Sequence, residues 1–199
     1  MARSTGRNHM RGRIAHLAAR LMAEDGIEDY ALAKRKAARQ AGAQDTRQMP
    51  DNDEIDAALR VYRGLYHRDH SSHLRELRQL ALTIMDELHP FEPHLTGSIL
   101  RGSAGKYAGI HLHLYTDSGK MVEHFLLDRK IDYRCGESRI YAGEMPLNAS
   151  VLSFERDGVE IRLTVLSPRE LRSRLKASAE GKPIERARRN AVRALIDAD

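Results

Sequence analysis

The 199-residue chain has one cysteine, Cys135, and no tryptophan. A single thiol excludes an internal disulfide framework and any zinc cluster built on several cysteines. Arg134 and Arg139 lie near it in sequence, but without a fixed histidine partner Cys135 reads as a passive residue. Aromatic residues make up only 5% of the chain, too few for the exposed stacking platform that single-stranded nucleic acid uses. No apolar run approaches the roughly 18 residues of a membrane span. The basic N-terminus also lacks the apolar segment of a secretory signal. A cytoplasmic protein with no membrane association is therefore expected. Internal repeats and long low-complexity segments are absent as well.

Against these absences stand 41% hydrophobic and 31% charged residues, the balance of a globular chain with a densely charged surface. The length fits one domain with a helical extension, or two small domains. The net charge is +5 and the isoelectric point near 9.5, which favours a nucleotide or nucleic acid as partner. The excess is small beside 33 basic residues, so a surface laced with salt bridges accounts for it equally.

Residues 1–9 read as a disordered basic lead-in with Arg3 and Arg7. A first helix is predicted from about Met10, with Ile14, Leu17, Leu21 and Met22 at helical spacing and Gly26 as its stop. A second runs from Tyr30 to Gln40 and ends at Gly42. Its outer face carries Lys34, Arg35, Lys36 and Arg39. Two short helices with a glycine turn and a basic second helix resemble helix-turn-helix DNA readers. That reading sets Lys34, Lys36 and Arg39 on phosphates, while a solvated face on a packing helix is the alternative. After a polar linker, Asn52 is the expected N-cap of a third helix bearing Ile55, Leu59, Tyr62 and Tyr66. Residues 68–72 break it. A fourth helix follows with the stripe Leu74, Leu77, Ala81, Ile84 and Leu88, ending before Pro90. This helical half, residues 1–89, is a candidate surface for a protein partner.

The most informative stretch is His94 to Asp117. A short apolar piece ends at Gly97-Ser98. A second turn of small residues follows at Arg101, Gly102, Ser103, Ala104 and Gly105. Then Ile110, Leu112 and Leu114 alternate with Gly109, His111, His113 and Tyr115, the pattern of a half-buried strand with one polar face. Glycines at a strand end let backbone N–H groups approach a ligand, and an anion such as phosphate suits a turn that opens a helix.

These residues resemble the nucleotidyltransferase superfamily that includes DNA polymerase beta. That family carries a Gly-Ser pair, then a small-residue turn of the Arg-Gly-x-Ala kind, then a strand with Asp-hydrophobic-Asp. Thr96-Gly97-Ser98 and Arg101-Gly102-Ser103-Ala104 match the first two parts. Gly109-Ile110-His111-Leu112 stands where the aspartates belong. The resemblance implies a mixed sheet with flanking helices over residues 90–176. It also implies a nucleotide-binding turn made of Gly97, Ser98, Arg101, Gly102 and Ser103. The family's activity uses paired Mg²⁺ held by carboxylates. With both aspartates replaced, the implied protein is catalytically altered or inactive. Glu160 is the nearest match to the third acid.

His111 and His113 lie i, i+2 on the strand and so share a face. They are candidates for holding Mg²⁺ or another divalent metal, zinc or nickel suiting imidazole best. His111 and Glu160 are candidate catalytic groups. Asp117, Glu123 and His124 are possible further partners, and solvent-facing strand histidines are the alternative.

Downstream, Ser118 to Leu127 is predicted helical and Ile131 to Tyr133 a possible strand start. Gly136 to Pro146 reads as a loop, with Arg139-Ile140-Tyr141 as a possible edge strand. Val151–Phe154 and Val159–Leu166 form a hairpin through Asp157-Gly158. Ser167-Pro168 opens a helix, followed by Arg169, Arg172, Arg174 and Lys176. Residues 177–199 form a basic C-terminal piece whose helix, Ile184 to Ile196, carries Arg186, Arg188, Arg189 and Arg193 for a phosphate backbone.

The expectation is an α+β protein, nucleotidyltransferase-like, binding a nucleotide or RNA phosphate through the Gly-Ser turn. The alternatives are an active nucleotidyltransferase with an unusual metal site and a helical interaction module carried on a sheet scaffold.

Overall fold

The computed structural model describes residues 2–24, 27, 29–43, 49–66, 70–179 and 181–198, with the side chains of residues 2–8 and 66 left aside. The fold is α+β, as expected. The chain divides into two compact units, Met1–Ser72 and His73–Asp199.

The first unit holds α1 (Ala2–Glu24), α2 (Tyr30–Ala41) and α3 (Asn52–Tyr66). Its core is rich in alanine: Ala15, Ala18, Ala33, Ala37 and Ala38 pack with Ile14, Ile55 and Leu59. Small contact residues allow short interaxial distances. Asp29 caps α2 by accepting the Ala31 and Leu32 N–H groups at 2.7 and 3.2 Å. Gly42 closes the helix in the left-handed region at φ 70°, the conformation glycine adopts without penalty. Two expectations are corrected. α1 begins at Ala2 rather than near Met10. The N-cap of α3 is Asp51, not Asn52: Asp51 Oδ1 accepts the Glu54 N–H at 2.9 Å, and Glu54 Oε2 accepts the Asp51 N–H at 2.7 Å. This reciprocal pair is a capping box. Glu54 also accepts from Arg11 Nε at 2.7 and 2.9 Å, tying α1 to α3. Gly26 and Arg68, the expected helix stop and break, lie outside the described residues.

The second unit is built on a six-stranded sheet of order β1-β2-β5-β4-β3-β6. The strands are β1 (His94–Thr96), β2 (Ile110–Tyr115), β3 (Arg134–Ala142), β4 (Met145–Arg156), β5 (Val159–Leu166) and β6 (Leu175–Lys176). β2 and β5 are parallel, and the other neighbours are antiparallel. The helices are α4 (His70–Glu87), α5 (Gly97–Arg101), α6 (Gly119–Asp128) and α7 (Arg189–Ala198). The main core joins Leu112, Ile110 and Leu163 of the sheet to Leu77 and Ile84 of α4, Val122 and Leu126 of α6, and Val192 of α7. The stripe on α4 therefore belongs to this core. α4 thus lies almost wholly in the second compact unit, which begins at His73.

A smaller core on the opposite side joins Tyr115, Ile140, Leu166 and Leu175 to Leu171 and Ile184. The chain from 167 to 188 thus straps that face. Several expectations change here. Ser167-Pro168 opens only a short 3-10 turn, Pro168–Arg172. The last helix starts at Arg189, not Ile184, because Ala187 is paired with Leu95 through backbone hydrogen bonds of 2.8 and 2.9 Å. A residue so engaged is unavailable to a helix. Ile131–Tyr133 precedes β3 rather than forming a strand, and residues 136–146, read as a loop, are the β3–β4 hairpin. Gly143 turns it at φ 68°. The strand was hidden because residues 134–137 are exposed on both faces and show no alternation. Among the described residues no helix is long and apolar enough to cross a membrane.

Candidate functional site

β2 divides its side chains cleanly. Ile110, Leu112 and Leu114 are 0% exposed in the main core. His111, His113 and Tyr115 face the other way. Of these, His113 and Tyr115 are buried beneath the strap, whereas His111 is half-buried at the open end.

The Gly97-Ser98 turn sits at the junction of β1 and α5. Gly97 has φ 77°, so a side chain there would be strained. A Cβ on Gly97 would stand 3.6 Å from His111 Nδ1, so the turn lies directly against that imidazole. Gly102 closes α5 at φ 74°, its N–H donating to the Ser98 and Ile99 carbonyls. The Ser103 N–H donates to the Ser98 carbonyl at 2.9 Å, and Ser103 itself is buried. Arg78, a buried arginine on α4, donates to the Ile99 and Leu100 carbonyls at 3.3 and 3.4 Å. It thereby satisfies carbonyls that the last turn of a helix leaves open.

Register places a row of residues across the open half of this face. Thr96 pairs with His111, His111 with Arg162, Arg162 with Ser153, and Ser153 with Arg134. Arg162 and Arg101 disfavour a charged His111, although burial is the larger cause of its lowered pKa and Glu160 opposes them. The imidazole is thus neutral near pH 7. Glu160 lies beside Gly109 and 3.8 Å from Arg162. The turn residues, Arg101, His111 and Glu160 lie in one region of the sheet's open end. Arg162 was missed, although its spacing of two from Glu160 puts both on one face. Arg78 was missed too, its signal being an arginine four residues after Leu74, in phase with the apolar stripe.

The Mg²⁺ that the resemblance implies does not fit these residues. A Cβ at Gly109 would stand 2.9 Å from the Glu160 carbonyl oxygen, so that position has no room for a carboxylate. His111 offers nitrogen where magnesium takes oxygen, and two guanidinium groups stand near. Among the described residues no group of three or more His, Cys, Asp or Glu is placed to hold a metal. His111 and His113 do share a face, but His113 is held in the interior. Burial chiefly, with Arg186, His94 and His111 near it, lowers its pKa to about 4. Its Nδ1 has no hydrogen-bond partner. His124 is exposed on α6, and Glu123 accepts from Tyr133 at 3.4 Å.

Three of the tail arginines are engaged within the fold, whereas Arg193 is exposed on α7. Arg186 donates to Tyr115 Oη at 2.6 Å and to the Glu170 and Ser173 carbonyls at 3.3 and 3.0 Å. Arg188 Nε donates to His94 Nε2 at 3.2 Å, and His94 Nδ1 in turn meets the Glu92 carbonyl at 2.8 Å. Arg189 grips Asp86. In the first unit Lys34 is half-buried and its pKa is lowered by burial, whereas Arg35, Lys36 and Arg39 stay exposed on α2.

Two surface clefts, of about 250 and 480 Å³, lie elsewhere, one beside Met85, His94 and Arg188 and the other beside Arg129, Phe154 and Arg156. At the candidate site Arg162 and Glu160 keep side-chain exposures of 46% and 44%, so its outer part is a shelf open to solvent. No family model, curated protein or solved structure matches the chain.

Proposed function

We propose that the second unit is a nucleotidyltransferase-like binding module, catalytically altered or inactive, which holds a nucleotide phosphate at the Gly97-Ser98 turn. The observation that supports this most is the seating of that turn against His111, with Arg101 and Arg162 in electrostatic range. A glycine turn gives a phosphate close access to backbone N–H groups, and guanidinium groups add charge-assisted hydrogen bonds. Titration calorimetry with ATP, GTP, CTP and UTP tests the reading. Binding that weakens in Gly97→Val and Ser98→Ala is expected, and no binding of any nucleotide to the parent chain overturns it.

The alternative of an active transferase on His111 and Glu160 has less support, since Glu160 is the only carboxylate of the family's three positions. A separate observation favours an interaction role for the helical unit. Val61 and Leu65, one turn apart on α3, are 57% and 70% exposed. Light scattering on the purified chain tests this reading, and a strict monomer with no co-purifying protein opposes it.

A further inference from the structure

The disagreement between the site and a metal-dependent transferase has a consequence for the ligand. Magnesium in such enzymes neutralises phosphate charge. Here the strand position that would carry the first carboxylate is closed by backbone, because a Cβ on Gly109 would meet the Glu160 carbonyl oxygen at 2.9 Å. The second position carries His111, and the strand beside it presents Arg162 at the same level. Arg162 is 46% exposed and meets Glu160 only at 3.8 Å, at one oxygen. Arg162 thus stands beside His111, whose ring lies against the Gly97-Ser98 turn.

We propose that this shelf binds the phosphates of a free nucleotide without a divalent cation, Arg162 and Arg101 supplying the positive charge that a metal ion supplies in metal-dependent transferases. The inference rests on the nucleotide-binding reading above and deepens it. A neutral His111 completes the site as a hydrogen-bonding group over the glycine turn. The basic strip is one residue deep. On one side of it Glu160 and Glu155 face each other across β5 and β4. On the other lies the buried row of His94, His113 and Thr164. Carboxylates so close repel a long polyanion laid across the shelf, so a compact phosphate chain fits better than an RNA backbone.

The test is calorimetric titration of the full chain with each nucleoside triphosphate, once in excess chelator and once in excess Mg²⁺. Equal or tighter binding in chelator is expected, since magnesium masks the charge that the arginines read. Arg162→Ala should weaken binding about ten- to hundredfold, the range for a hydrogen bond to a charged group. Arg139→Ala, on the opposite side of the sheet, should leave it unchanged. Binding seen only with Mg²⁺, and lost in Glu160→Gln, overturns the inference while leaving nucleotide binding intact. Binding in chelator that Arg162→Ala does not alter also overturns it. A 30-nucleotide RNA that displaces the nucleotide at lower concentration replaces the proposed ligand class. No binding under either condition removes the underlying reading as well.

Discussion

The two sides of β2 obey different rules although they are the same six residues. On one side Ile110, Leu112 and Leu114 are wholly buried among helices. On the other, His111, His113 and Tyr115 lie under or beside a strap fastened by Arg186 and by the Ala187 pairing with Leu95. The apolar side gains stability from area removed from water. The polar side must hold imidazole and phenol groups that give back part of that gain. A protein optimised only for stability would have no reason to bury His113 with an unpartnered ring nitrogen. The contrast separates a face that serves packing alone from the face that carries the proposed site.

The largest expected effect lies on the apolar side. Leu112→Ala should destabilise the chain by about 2–5 kcal/mol in denaturant unfolding, the sum of lost transfer energy and the cavity left behind. A loss below 1 kcal/mol would mean that the core relaxes freely, and the contrast between the sides would fade.

Acid should act next, and through the polar side. The folded-state pKa of His113 is lowered to about 4 from the ordinary 6.5, so the native state favours the neutral ring. Stability is therefore fully present above pH 6.5 and is lost as pH falls toward 4. At 1.36 kcal/mol per pH unit the interval corresponds to about 3 kcal/mol. His94 and His111, also lowered chiefly by burial, add in the same direction. Unfolding measured from pH 7 to 4 should show this slope, and His113→Leu should flatten it. An unchanged slope in that variant would place the acid sensitivity elsewhere.

Gly109→Ala probes the join between the sides. Its Cβ would press on the Glu160 carbonyl, so β2 and β5 must part locally. The expected loss is about 1–3 kcal/mol, the range for an overpacked site. Gly109→Asp, which restores the first family aspartate in sequence, should lose at least as much and create no metal site. Magnesium-dependent stabilisation of that variant would show that the strand pair can open to accept a carboxylate.

Much of this arrangement was legible because strand alternation survives where only one face is buried. β2, α4, α6 and the Asp157-Gly158 hairpin turn follow from period and turn chemistry. β3 was not legible, since its first half contacts solvent on both faces and selection for alternation disappears there. The start of α7 was misplaced because a tertiary pairing with Leu95 outcompeted local helix propensity. At the site, Glu160 is marked by the family pattern, whereas Arg162, two residues away, belongs to no motif. Which side chains converge was readable from register alone once the parallel pairing of β2 with β5 was known, and that pairing is set by a crossover of more than forty residues that no local pattern encodes.

The smallest effect is expected at the residue that matters most to the proposed ligand. Arg162 is 46% exposed, and its contact with Glu160 at 3.8 Å is a surface ion pair, worth about 0–1 kcal/mol before screening by salt. Arg162→Ala should therefore shift unfolding by no more than about 0.5 kcal/mol while phosphate binding falls. That separation is what the contrast between the two sides of the sheet requires, because a residue kept for a ligand leaves little trace in stability. A loss of several kcal/mol would instead make Arg162 part of the scaffold, and the polar side would then be held in place for folding rather than for binding.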